Sequence, residues 1–597
     1  MKTCNSFIDL HCAPFGRKGS FFIVMQGATG KDHFGKSDLW LGTTRSIGFG
    51  YSGVNATNRV AKIRLLKDGM PVPFAVSGTP SELLLESDHG TMRICITEKF
   101  LIRFHSEDGL GLSLNAPLDG FHSIVKDMLD GTWQLVTTKT AVNWLLVPVT
   151  GTLRMDAPYD FRAMKNLYMN SVWLPDENGV VDVAVEEFDA EPVRRKSFED
   201  YFAGAAAVQA EFEEYRERCV PAFPPEYAAC RDKAAWMVWT HTRVPFAGSR
   251  FQHEMVIMMH QQFGHCFGWQ QAFQAMGNCK DVRFAWDLIQ SVFDYQLPSG
   301  QIPDHIDEME VIYQAFKPPL YGVALNWLYD HADVSKIPAE DKERLYHEMS
   351  LLWDFYRTYR DLDHDGLPEY HHADESGCDE STIFSAGLPV ASPELGAYLT
   401  AIADALARLA EDLGKPEEAG RWTEEADALA ARILERLWDG KKFTAFRAGT
   451  GEPVKASPIG FFTPLLLGRH LPENVVDTLV ADLFTEDVHI TKYGVPSEAL
   501  DSPYFEHAWS RGTIQAPTTC LIVLGLAACG RMEQARDVAR RYADTLRDHG
   551  MYHMHDPILG VGDDQAIGAN RTQHWSAWTA GVFLLLAGYF LNGDQTA

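Results

Sequence analysis

Hydrophobic positions along the chain follow two rhythms. Up to about residue 195 they come in short runs, such as "GSFFIVMQG", "SELLLES", "TMRICITEKFLIRFHSEDGLGLSL" and "NGVVDVAVEEFD". These runs are rich in β-branched residues and broken by Gly, Pro, Asp and Asn. They have the length of strands with turn chemistry between them, and they predict a β-sandwich domain over residues 1–195. From residue 196 the apolar positions recur every three to four residues. "SFEDYFAGAAAVQAEFEEYRERC" reads as a helical linker over 196–224. Beyond it, "AYLTAIADALARLAEDLG", "EEAGRWTEEADALAARILERLW" and "MEQARDVARRYADTLRDHG" carry the apolar stripe of amphipathic helices. About eleven or twelve helices are expected over 225–597, most of them ended by Gly or Asp-Gly. The loops between them alternate between short and long. The long ones are loaded with Trp, His, Asp, Glu and Gly. That alternation predicts a mainly α architecture, a closed ring of helical hairpins with its functional loops gathered at one end. No clean repeat period supports a solenoid instead.

Composition narrows the partners. The net charge is −28, which argues against nucleic acid and anionic membrane surfaces and favours a neutral or cationic small substrate. The ten cysteines show no C-x-x-C spacing, so neither a metal site nor a cofactor is expected. The first twenty residues lack a basic start, an apolar run and a cleavage site, which fits a cytoplasmic, reduced protein. "WSAWTAGVFLLLAGYFL" (575–591) is interrupted by Ser, Thr and Gly and is short for a bilayer, so it reads as a buried core helix. The 15 tryptophans suit a sugar-binding cleft and a large helical core equally well, and leave both open.

The stretch richest in chemistry is "DLDHDGLPEYHHADESGCDESTIF" (361–384). "DLDHDG" has the start of a calcium loop, but the twelfth position of such a loop is His372, where a bidentate Glu is needed. A turn closed by its own Asp side chains is the better reading, with calcium in another geometry left open. Asp379 follows Gly377 between Ser376 and Ser381. A carboxylate presented on a turn beside other acids has a raised pKa and suits a general acid. A solvated acidic loop is the competing reading. Four more stretches, 265–306, 313–329, 492–526 and 550–581, share one form: a polar and aromatic loop followed by an apolar helix.

In order, the chain shows "FGWQQAF", "QLPSGQIP", "KPPLYG", "GLPEY…ESGCDES", "YGVPSE…WSRGTI" and "HMHDPILG…WSAWTAG". This succession resembles the α/α-toroid glycoside hydrolases of family 63 and the related trehalases, often described as amylo-α-1,6-glucosidase-like. The resemblance spans roughly residues 225–592. It implies an (α/α)6 toroid catalytic domain behind the β-sandwich, and an exo-acting, inverting hydrolase acting on an α-glucoside or α-mannoside. Asp379 falls on the general acid of the family. Trp269, Gln270, Gln301, Asp304, Lys317, Tyr370, Glu380, Trp509, Arg511, His555 and Trp575 fall on or beside the matched motifs and are implied to bind the sugar.

The departures are as informative. Cys378 replaces the Trp before the acid, Gln270 replaces a sugar-gripping Asp, and Ser510 interrupts the Trp-Arg pair. The glutamate that activates water in the family aligns with His553. Three groups are therefore candidates for the second catalytic role: Glu498 first, because inversion calls for a carboxylate, then His553, then Asp556. A histidine base also fits a toroid enzyme of other chemistry, such as a lyase, phosphorylase or isomerase/epimerase. A non-catalytic sugar-binding relative is the third reading.

Overall fold

The computed structural model describes residues 8–592 except 11, 27–37, 46–58, 119–122, 139–141, 261–263, 309 and 563–574. The first seven residues of the segment read as lacking a leader, and the middle of the 550–581 loop, lie outside them.

The strand-like runs form two antiparallel sheets. In spatial order, one holds Phe22–Gln26, Leu39–Thr43, Arg59–Lys67, Leu110–Ala116, Met169–Leu174 and Thr152–Asp156. The other holds Ser123–Asp127, Trp133–Thr137, Val142–Thr150, Val181–Glu187, Leu101–Ser106, Gly90–Glu98, Leu83–Ser87 and Ala75–Gly78. Leu101–Ser106 and Val181–Glu187 are buried at every position. Helix α1 (Tyr201–Cys219) lies against Gly90–Glu98, the neighbour of Leu101–Ser106 in the eight-stranded sheet. The His105 ring stacks on Tyr201 at 4.8 Å in that seam. A charge in such a layer needs a partner. Arg103 has one: its Nε donates to Asp182 on the neighbouring strand at 2.9 Å, and its Nη1 to the Glu199 carbonyl at 3.1 Å.

The helices that follow are α2 (Ala228–Thr240), α3 (Gly268–Gly277), α4 (Val282–Phe293), α5 (Tyr321–His331), α6 (Ala339–Tyr359) and α7 (Pro393–Asp412). After them come α8 (Pro416–Leu437), α9 (Glu473–Leu483), α10 (Ala516–Ala528), α11 (Met532–His549) and α12 (Ala577–Leu585). Six segments touch in cyclic order and close on themselves: α3, α5, α7, the 3-10 segment Thr463–His470, α10 and α12. Every residue of α3 and α12 is buried, as an inner ring requires. The outer α8 buries one stripe, Ala419, Trp422, Ala426, Leu429, Ala430, Ile433 and Leu437. The fourth inner place differs from an ordinary helix because Pro464 opens it and a kink at Gly468 breaks it.

The inner segments begin after the long connections 241–267, 294–320, 360–392, 438–462, 484–515 and 550–576, while turns such as 278–281, 413–415 and 529–531 close the other end. All the long loops therefore lie at one mouth of the ring. Short ladders stitch them: Cys266–Phe267 to His305–Ile306, Glu369–Tyr370 to Val390–Ala391, and Ile514–Gln515 to Met554–His555. No described helix is long and apolar enough to cross a membrane.

The ring closes tightly where α5 meets α7. A Cβ on Gly322 would stand 2.3 Å from the Ile402 amide nitrogen. Backbone cannot yield as a side chain can, so Gly322→Ala is expected to destabilise the protein by about 1–3 kcal/mol, read as a lower midpoint in urea unfolding.

Candidate active site

The chain reaches Asp379 by a strand, a helical turn and a left-handed glycine. Glu369–Tyr370 pairs with Val390–Ala391 and pins both ends of the loop. Ala373–Ser376 makes a 3-10 turn, and the Asp374 amide donates to His372 Nδ1 at 3.1 Å. Gly377 ends the turn at φ 68°, which is low in energy only without a side chain. A Cβ there would also lie 2.3 Å from the Trp269 ring. Asp379 thus leaves a turn laid against an indole, with its own side chain open to solvent.

Aromatic rings from the other loops gather around it. Trp269 meets Trp578 edge to face at 4.4 Å, Trp578 lies 5.8 Å from His553, and His553 lies 6.0 Å from Trp509. Glu380 pairs with Arg511 at 3.3 Å, and Arg511 also holds Glu506 at 2.7 Å. The Ser510 hydroxyl reaches the Cys378 thiol. Asp379, Glu380, Trp269, Trp509, Arg511 and His553 are brought to one place at the ring mouth.

Behind Asp379 stands a buried cation. Lys317 bonds the Asp374 carboxylate, lies 3.3 Å from Asp304, and donates to the Asp374 carbonyl at 3.2 Å. Asp304 in turn accepts from His305 Nδ1 at 2.6 Å. Lys317 also stands over the Phe267 ring at 5.6 Å. The Asp379 carboxyl is pushed up to about 6. Loss of hydration on its protein side is the largest cause. Lys317 opposes it, and Asp374, within hydrogen-bonding reach, and Asp304 add to it. A group walled by protein behind and wet in front is what a cleft wall provides.

Other expected residues are placed differently. Glu498 is 0% exposed. Its Oε2 accepts from Thr382 Oγ1 at 2.5 Å, and its Oε1 accepts from the Ser457 amide at 2.9 Å and Ser502 Oγ at 2.5 Å. It laces three loops together, and these bonds speak against its first rank as the second catalytic group. Asp556, 1% exposed, closes its own turn by accepting from the Ile558 and Leu559 amides at 2.8 Å, and takes a third bond from His507 at 2.5 Å. It too is committed. His555 is fully buried and donates from Nε2 to the Gly550 carbonyl at 3.0 Å. Trp575 packs beneath the Lys233 ammonium at 4.6 Å, and its amide bonds the Cys12 carbonyl at 3.0 Å. Both serve the core rather than the cleft. Gln301 donates to the Tyr313 carbonyl at 2.8 Å and braces its own loop. Gln270 is 0% exposed, and neither amide atom has a hydrogen-bond partner among the described residues. Burial pushes His553 down to about 3, so its ring is neutral at pH 7.

Three residues escaped the sequence reading. Asp374 looks like one more acid in an acidic loop, and only its contact with Lys317 distinguishes it. Glu394 looks like an ordinary first-turn acid after Pro393. Its carboxyl lies over Gly460 and faces Tyr370, and burial pushes it up to about 7. Trp578 falls in a motif whose first Trp drew the attention. Among the described residues, Asp361, Asp363 and Glu369 form the one carboxylate cluster close enough to share a cation, with oxygens within 4.8 Å. Those oxygens already accept backbone amides, from Gly366 at 3.2 Å, Gly449 at 2.8 Å and Leu362 at 3.2 Å, as a self-closed turn would.

The family model for the mannosylglycerate hydrolase MGH1-like glycoside hydrolase domain matches residues 265–576, just over half of the chain. The chain belongs to this family. This MGH1-like glycoside hydrolase shares its fold with solved structures at low identity. A bacterial glucoamylase complexed with acarbose superposes at a TM-score of 0.59 with 14% identity, covering 96% of this chain and 94% of that one. The family-63 mannosylglycerate hydrolase of Thermus thermophilus, in complex with Tris and D-glycerate, superposes at 0.50 with 19% identity, covering 59% of this chain and 98% of that one. Comparison with curated protein sequences gives no match. The likenesses confirm an α/α toroid behind a β-sheet region.

If Glu498 is a bracket, its loss is a stability effect. Glu498→Ala leaves three donors, one of them buried, without their acceptor and is expected to cost roughly 2 kcal/mol, measured by denaturant unfolding.

Proposed function

We propose that this glycoside hydrolase releases the terminal sugar of a short α-glycoside in one inverting step, with Asp379 as the general acid. Mannosylglycerate is the first substrate to offer it, because its family is named for that hydrolysis. The observation that carries the reading is the Asp379 carboxyl, open to the cleft and kept protonated up to about pH 6 by its own surroundings. The adjacent carboxylates, Asp374 and Asp304, are both held by Lys317. That disfavours a covalent glycosyl intermediate, which needs a free carboxylate across the sugar, and favours water as the nucleophile.

Trp509 offers apolar ring surface to a sugar, with Trp269 and Trp578 buried, and Arg511 offers charged donors. Water is activated by His553, whose Nδ1 has no hydrogen-bond partner among the described residues. In the bond-breaking step the Asp379 proton passes to the glycosidic oxygen as the C–O bond opens. Water adds to the anomeric carbon from the other face and gives its proton to His553. One observation favours a second reading: with Glu498 and Asp556 committed, a neutral imidazole replaces the usual carboxylate base. That would suit proton transfer at a sugar carbon, as in an isomerase or lyase.

Asp379→Asn is expected to lower kcat by about 10²–10⁴ on a substrate with a poor leaving group; full activity would remove Asp379 from the mechanism. His553→Ala should lose comparably, while His553→Gln, which keeps an acceptor, should lose less. Because the acid works protonated, kcat/KM should fall about tenfold per pH unit above about pH 6, and should fall again below about pH 3, where His553 charges. Hydrolysis in ¹⁸O-water with NMR of the first-formed anomer separates the readings. Inversion with label at the anomeric carbon supports the first. An isomerised or unsaturated sugar without label supports the second.

A further inference from the structure

The triad behind Asp379, Lys317 with Asp304 and Asp374, is buried. Lys317 is 5% exposed and Asp304 1%, and Asp374 lies on the same turn as Asp379, on the far side of Gly377 from it. Two carboxyl groups can share a hydrogen bond only if one of them carries the proton. Which one keeps it depends on where the nearest cation sits. Lys317 touches Asp374 directly, by side chain and by backbone carbonyl, and stands 3.3 Å from Asp304. Asp374 therefore has strong reason to be ionised, and Asp379 to keep the proton.

We propose that Asp374 and Lys317 are the positioning pair of the acid: Lys317 holds Asp374 ionised, and the Asp374 carboxylate accepts the Asp379 hydroxyl as a hydrogen bond in the resting site. This rests on the reading of Asp379 as the acid. The pair does two things. Asp374 keeps the proton on Asp379 against the opposing charge of Lys317, and the Asp374–Asp379 hydrogen bond fixes the carboxyl rotor on its turn. When a glycosidic oxygen arrives, the proton is transferred to it. The resulting Asp379 carboxylate is left beside Asp374, with Lys317 as the compensating charge, until water in the open cleft returns a proton.

The other charged groups around Asp379 are accounted for. Glu380 is engaged with Arg511, and Arg511 also with Glu506. His305 is engaged with Asp304. Glu394 faces Tyr370 and, like Asp379, bears on the Cys378 thiol. Of these groups, Lys317 is the one whose charge opposes protonation of Asp379, and Asp374 is the one in hydrogen-bonding reach that favours it. Substitutions of the two should therefore move its titration in opposite directions. No merely structural role would do that.

The test is an infrared difference titration of the full-length protein, with Asp379→Asn as the reference that removes the band of interest. In the wild type a protonated-carboxyl band should titrate near pH 6 and be absent from Asp379→Asn. In Asp374→Asn, whose amide donates to the Asp379 carboxylate and carries no charge, the band should move down by about one pH unit or more. In Lys317→Met it should move up, and in Lys317→Arg it should stay. The alkaline limb of kcat/KM on mannosylglycerate should follow these shifts. On α-mannosyl fluoride, whose leaving group needs no proton, it should not.

A wild-type band that is unmoved in Asp374→Asn, or one that moves the same way in both charge variants, overturns the proposal. Should Lys317→Met fail to fold by circular dichroism, Asp374→Asn, which is isosteric, decides alone. Failure of the acid reading looks different: Asp379→Asn is then fully active, whatever the band does. If no band separates the wild type from Asp379→Asn, the proposed hydrogen bond does not exist in the resting site.

Discussion

Six helical segments closed into a ring, with their neighbours covering every side, must send all their connections to one of two ends. Helices such as α3 and α12, buried at each position, satisfy their backbone internally but offer no surface for polar side chains. Polar chemistry is thereby displaced into the connections. One end is closed by short turns, so the length, and the Trp, His, Asp and Glu within it, accumulates at the other. The same end receives the N-termini of the inner helices, where unpaired amides and the helix dipole favour negative charge. A carboxylate-lined cleft at that mouth follows from ring closure before any particular residue is named.

Within the cleft, the decisive charge is one that water hardly reaches. The chain carries a net charge of −28, yet the charges that act on Asp379 are a buried ammonium, tucked under the Phe267 ring, and the two carboxylates that hold it, Asp304 and Asp374. Removing an ammonium from water costs several kcal/mol unless each of its donors finds an acceptor. Two carboxylates and a carbonyl supply them. Salt screens such a buried cluster far less than surface charge, so the proton affinity of the acid belongs to the fold rather than to the medium.

Much of this was legible in the sequence. The change from strand-length runs to helical stripes near residue 196 and the alternating loop lengths carry the architecture. The Gly377 turn carries the presentation of Asp379. What was not legible was direction. Glu498 and Asp556 sit in loops of the same composition as Arg511 and Trp509, and a polar residue in such a loop can face the cleft or tie loops to one another. The choice is made by partners distant in sequence, Thr382 and Ser457 for Glu498 and His507 for Asp556. Trp575 was read as a binding ring for a similar reason: its neighbour Lys233 comes from a helix far up the chain. The converse held for Asp374, whose significance comes wholly from a lysine in another loop.

The manner in which the ring closes sets an order of events during synthesis. Trp578, on the last helix of the ring, forms the aromatic contact with Trp269 on α3. Its flanking residues are bonded to early segments, the Trp575 amide to Cys12 and the Ala577 amide to Met258, each at 3.0 Å. Roughly three hundred residues separate the two indoles, so at about 5–20 residues per second the first waits some tens of seconds on the ribosome for the second. Throughout that interval the face of α3 that will meet α12 is uncovered, although α4 and α5 already pack on its other sides. The nascent chain must shelter the wall of its own cleft before the piece that completes it has been made.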